Sequence, residues 1–168
     1  MKFLILLFLF SCGSEANDFV VRPVPKRPGL PKISIDPDLA PYVSLFLTEA
    51  EKFNVDTSLV SKLRVVEYGI TASKKDPGAV GLCWTWKEGD EVIYTRIIID
   101  ERYREKTWSK KGLLMHELGH CILQKEHSPR SPSTIMSPSL STDLYYERCW
   151  TGLLRNLFLD EKLDCNVQ

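Results

Sequence analysis

Neither sign of charge is in excess along this chain of 168 residues: lysine plus arginine and aspartate plus glutamate both number 22. That balance excludes attachment to nucleic acid or to an anionic membrane through bulk charge. Internal repeats and low-complexity tracts are lacking, so the chain amounts to one domain with length enough to bury a single core. Long apolar runs are missing as well. The longest, Phe3 to Phe10, holds eight residues, too few to span ~30 Å of hydrocarbon as a helix. Histidine is scarce too. The three present, His116, His120 and His127, fall within the single stretch HELGHCILQKEH.

At the N-terminus, MKFLILLFLFSCGS has one positive residue, the apolar run, then Ser11 and Cys12, the order of a secretory signal. Leu9-Phe10-Ser11-Cys12 resembles a bacterial lipobox, which implies cleavage before Cys12, lipidation of that cysteine and anchorage in the cell envelope. A secreted chain with an ordinary signal peptide is the alternative. Prolines 23, 25, 28, 31 and 37 follow, a spacing that favours an extended tether of ~3 Å per residue. The expected organisation is a signal peptide over 1–11, a lipid-anchored, proline-rich tether over 12–37 and one domain over 38–168. Export leaves Cys83, Cys121, Cys149 and Cys165 in an oxidising compartment, where up to two disulfides form. Of the three possible pairings, Cys83–Cys121 with Cys149–Cys165 is favoured, the second closing a short C-terminal loop.

Within the domain, Leu39, Val43, Phe46, Leu47, Ala50 and Phe53 recur at three- and four-residue steps, predicting an amphipathic helix over 38–53. Residues 62–70, KLRVVEYGI, read as a strand, and Asp76-Pro77-Gly78 as a turn. Residues 79–86 and 92–99 flank Gly89-Asp90 and read as a hairpin. Ser109 is a candidate N-cap for a helix over 110–125, ended near Gln124, and a last helix starts near Thr142. Trp84 and Trp86 share a strand face, which either lines a cleft or packs the core; core packing is expected for at least one.

His116 and His120 are four residues apart, about 40° on the helical wheel and ~5.4 Å along the axis. Two imidazoles so placed can share one zinc ion at ~2.0 Å from each nitrogen. Glu117 lies on the same side of the helix, within reach of a water activated by the metal and not needed as a ligand. Neutral histidine ligands leave the ion its full charge, so Glu117 is expected to act as general base in hydrolysis of an amide bond. Cys121 points ~100° away from His120 and is expected in a disulfide or as a buried thiol, not as a ligand.

HELGH followed by a late histidine and by SerThrIleMetSerPro (133–138) resembles the metzincin clan of zinc metallopeptidases, with their H-E-x-x-H-x-x-G-x-x-H pattern and Met-turn. The likeness covers about residues 38–160, with its specific part at 116–138. It implies an α+β fold: a small, mixed, twisted β-sheet with an N-terminal helix, an active-site helix and a C-terminal helix. It also implies His116 and His120 as ligands, Glu117 as catalytic base, Met136 as the apolar floor of the Met-turn and one catalytic Zn2+. Gly81, Leu82, Cys83 and Trp84 would belong to an edge strand that takes up a peptide or protein substrate as a further strand. A monomer that contacts the membrane only through its lipid is expected, with no nucleic-acid partner. The chain departs from the pattern twice. Leu123 stands where the helix-turning glycine falls, and Glu126 where the third ligand falls, with His127 one residue later. His127, the only spare imidazole, is the expected third ligand and Glu126 the alternative. A gluzincin-like site with Glu147 on the last helix is a further variant, though YYERCW does not resemble that clan. From a different class, a non-catalytic binding module stapled by zinc would carry the same histidines but have no need of Glu117.

Overall fold

The computed structural model describes residues 29–71, 78–128 and 134–165. The signal peptide, Cys12 and most of the tether lie outside the described residues, as do Asp76, Pro77 and residues 129–133. The elements run β1 (Ser34–Ile35), α1 (Ala40–Lys52), β2 (Leu63–Gly69), β3 (Gly81–Glu88), β4 (Glu91–Asp100), α2 (Thr107–Cys121) and α3 (Asp143–Leu159). The result is an open, mixed four-stranded sheet with three helices, within the α+β class.

Strand order is β1-β2-β4-β3. β1, β2 and β4 are parallel neighbours, whereas β3 returns antiparallel to β4 through Gly89-Asp90, with Gly89 at φ 59°. The expected hairpin is present. Ser34–Ile35, counted above with the tether, instead adds a short edge strand to β2. The apolar periodicity of α1 buries Val43, Phe46 and Ala50. Phe46, Val66, Ile97, Leu118, Leu153 and Leu157, contributed by all three helices and two strands, meet in one core. Each such side chain contributes about 1.5–3 kcal/mol on burial.

α2 runs through the middle of this core, with residues buried all round it, so its polar groups need internal partners. Ser109 is not the N-cap. The helix starts three residues earlier than expected, at Thr107, because Asp143, in the first turn of α3, accepts from the Ser109 backbone N–H at 2.9 Å and from its hydroxyl. The capping group comes from another helix, which no local pattern shows. The buried Lys110 ammonium donates to Asp38 at 2.8 and 3.0 Å and to the Arg104 carbonyl at 2.7 Å. At the start of α3 the cap is local: Thr142 accepts from the Tyr145 N–H, as the sequence suggests.

Both favoured disulfides are present. Cys83–Cys121 joins β3 to the end of α2, and Cys149–Cys165 ties α3 to the C-terminal segment. With separations of 38 and 16 residues, loop-closure entropy assigns them about 4 and 3 kcal/mol.

Candidate metal centre

α2 ends at Cys121 with Ile122 as its C-cap, three residues short of Gln124. Gln124 then takes φ 55°, and the Lys125 N–H returns to the Gly119 carbonyl at 3.0 Å. The left-handed residue therefore sits one position later than the glycine of the resembling pattern, and His127 follows it by three, as the pattern's histidine follows its glycine. The one-residue delay is absorbed in the turn.

His116, His120 and His127 are brought together, with ligand-capable nitrogens all within 4.8 Å of one another. The His116 Nε2 lies 3.0 Å from that of His120 and 3.2 Å from that of His127. His116 Nδ1 donates to the Ile135 carbonyl and His120 Nδ1 to the Lys125 carbonyl, each at 2.6 Å. Those bonds place the proton on Nδ1 and aim two Nε2 lone pairs at each other, a repulsive arrangement without a cation between them. A zinc ion ~2.0–2.1 Å from each nitrogen in tetrahedral geometry sets nitrogens about 3.3 Å apart, so the donor set fits such an ion. Burial drives the His116 pKa down to about 4, opposed by its bond to Ile135, and burial also lowers that of His120. Both rings are held in the neutral, ligating form. Glu126, the alternative ligand, is exposed and outside the cluster.

The supports of these rings are local. Ser128, next to His127, donates its N–H to the Met136 carbonyl at 2.9 Å, and its hydroxyl meets that of Thr134 at 2.5 Å. The Thr134 N–H donates to the Ser137 hydroxyl at 2.7 Å, closing the turn that presents the Ile135 carbonyl to His116. Met136 is buried beneath α2. A Cβ on Gly119 would come within 2.5 Å of its sulfur, which explains a glycine inside a buried helix.

Glu117 is 4% exposed and lines the same cleft of about 1120 Å³ as the three histidines. Burial pushes its carboxyl pKa up to about 8, and the backbone N–H of Cys83, donating to it, acts in the opposite sense. No cation is hydrogen-bonded or ion-paired to it among the described residues, whereas the other buried ionic group of α2, Lys110, has its carboxylate. Gly81, Leu82 and Cys83 of edge strand β3 line the cleft. Trp84 does not. It packs against Trp86 and Tyr94, with ring centroids at 5.9 and 5.4 Å, on the opposite strand face, and neither tryptophan joins the main core. Glu147 lies on α3, outside both cluster and cleft.

What the sequence did not reveal is the close seat of Glu117 under β3. A Cβ on Gly81 would stand 2.2 Å from Glu117 Oε1 and 2.7 Å from Leu113 Cδ1. Gly81→Ala is therefore expected to drive the carboxylate off the Cys83 N–H or to lift β3. Bound metal, measured by elemental analysis, is expected to stay at the unmodified level, while any hydrolytic turnover falls about 10²-fold, the scale of a 1 Å misplacement. Unchanged turnover in a metal-loaded Gly81→Ala protein would show that this seat has no part in the reaction.

Comparison of the chain with protein-family models, with curated proteins and with solved structures found no match. The site defines a class by itself: a three-histidine cluster able to hold a metal ion, with a buried carboxylate in the same cleft.

Proposed function

We propose that this protein is a zinc-dependent peptidase of metzincin type, exported and anchored in the bacterial envelope by a lipid on Cys12. The observation that carries the reading is the convergence of the three imidazoles beside the buried, cation-free Glu117 carboxylate at the foot of an open edge strand. His116, His120 and His127 would hold the ion. When bound, zinc supplies Lewis acidity and makes water acidic enough to lose a proton near neutral pH. Glu117 takes that proton on a carboxylate oxygen and passes it to the leaving amine. The Cys83 N–H fixes the carboxylate's direction, and the edge of β3 that faces away from β4 aligns an extended peptide along the cleft. Met136, packed under Gly119, keeps the underside of the ligand helix dry. The two disulfides are consistent with an oxidising compartment.

The test is purified protein, unmodified and Glu117→Gln, incubated with a broad peptide pool while bound zinc is measured. Cleavage by the unmodified protein that disappears in the variant at equal zinc content supports the reading. Zinc bound without cleavage by the unmodified protein would overturn it in favour of a metal-stapled binding module.

A further inference from the structure

β3 is weakly seated for a strand that carries so much of the site. None of its eight residues is fully buried, and as an edge strand it pairs, among the described residues, only with β4. Toward α2 it presents Gly81, Cys83 and Thr85, which offer little apolar surface, while Leu82 and Trp84 are 38% and 39% exposed. Two contacts on this strand nonetheless set the Glu117 carboxylate: the close approach of Gly81 and the Cys83 N–H. The covalent link between them and α2 is the Cys83–Cys121 bond, with Cα atoms 5.6 Å apart. Cys121 follows His120 directly and is the last residue of α2, three before the left-handed Gln124.

We propose that the Cys83–Cys121 disulfide is the positioning element of the site, a strut holding β3 and the Glu117 carboxylate at fixed height over the ligand helix, so that competence of the site follows its redox state. Cys83 lines the cleft whereas Cys121 is fully buried, so an attacking thiolate meets the Cys83 sulfur first. A dithiol reductant supplies two electrons and two protons and leaves as its own disulfide, and Cys83 and Cys121 become free thiols. The ligands need no such strut. Their hydrogen-bonded supports run through the Ile135 and Lys125 carbonyls and the Ser128 N–H, and the partners of these bonds lie outside β3. The catalytic consequence rests on the peptidase reading, while the structural one stands on the geometry alone.

The experiment uses the full chain loaded with zinc. Cys83→Ala/Cys121→Ala is compared with Cys149→Ala/Cys165→Ala, which removes the disulfide remote from the cleft. Bound zinc, amide hydrogen exchange over 81–87, and kcat and KM on the peptide pool are measured. The first pair is expected to keep zinc, to exchange about tenfold faster over 81–87 and to lose kcat about tenfold or more. The second is expected to match the unmodified protein in all of these. Unchanged exchange in the first pair, or equal losses in both pairs, overturns the proposal. If the unmodified protein cleaves nothing, faster exchange in the first pair alone supports the strut while the peptidase reading falls. Should the first pair not fold, dithiothreitol reduction of folded Cys149→Ala/Cys165→Ala, whose single remaining disulfide is the strut, gives the same readings.

Discussion

Glutamine at position 117 is expected to lower peptide cleavage about 10²- to 10⁴-fold, the range of a general base, with zinc content unchanged. Glutamine is the informative choice because it keeps the volume against Gly81 and, through its carbonyl, the acceptor for the Cys83 N–H. Only the basicity is removed. The same variant reports the cost of burying the carboxylate. In the chelated, metal-free protein the folded carboxyl titrates at about 8, raised by burial, against 4.5 in the unfolded chain. A raised pKa means that this contribution to stability is full below pH 4.5 and is lost as pH climbs through 8. The lowered pKa values of His116 and His120 act in the opposite sense, but only below 6.5, and Lys111, lowered by burial to about 8, opposes the loss only as pH nears 8, so the interval from pH 6.5 to 7.5 reports Glu117. Across it the metal-free protein is expected to lose about 1 kcal/mol, read as a falling urea midpoint. Glu117→Gln is expected to flatten that loss. A midpoint equally steep in the variant would place the titrating group elsewhere.

Glu117 also shows what the sequence carried and what it did not. H-E-x-x-H spacing is enough to put two imidazoles and a carboxylate on one side of a helix, since helical geometry is local. The elements followed for the same reason: the periodicity of α1 and the Gly89-Asp90 reversal are properties of neighbouring residues. The disulfides were narrowed to three pairings by number, and the favoured one is present. Contacts between distant segments were not legible. Ser109 looks like an N-cap until Asp143 arrives from α3 and lets the helix begin earlier. Core packing is expected for at least one of Trp84 and Trp86 and neither joins the main core, because alternation gives a shared face and not its surroundings. Ser34–Ile35 sits among prolines and is a strand only because β2 offers it an edge. Gly119 did leave a signal, as a lone glycine inside a helical pattern, and its reason is the sulfur of Met136.

The third ligand is the point at which the sequence and its resemblance diverge, and it carries the other large effect. His127→Ala is expected to weaken zinc binding about 10²- to 10³-fold, the share of one ligand in a site worth about 10–16 kcal/mol. Glu126→Ala is expected to leave affinity within about twofold, since rim carboxylates that touch no ion contribute little. The argument is geometric. The His127 Nε2 stands 3.2 Å from that of His116, and the neighbouring Ser128 is tied to the Met136 carbonyl, so the ring is positioned before any ion arrives. Glu126, although it lines the cleft, lies outside the cluster of converging ligand atoms. Competition with a chelator of known affinity measures the difference directly. Thermal unfolding gives a second reading, because a ligand at 1,000 times its Kd stabilises by about 4 kcal/mol and a hundredfold loss of affinity removes about 2.7 kcal/mol of it. Equal affinity in His127→Ala and the unmodified protein would assign the ion to His116 and His120 with a different third group. The same affinities decide whether the turn at Gln124 matters. Its left-handed φ of 55° is what absorbs the one-residue delay of His127, so Gln124→Pro, which forbids that angle, is expected to reproduce the His127→Ala loss with all three imidazoles present.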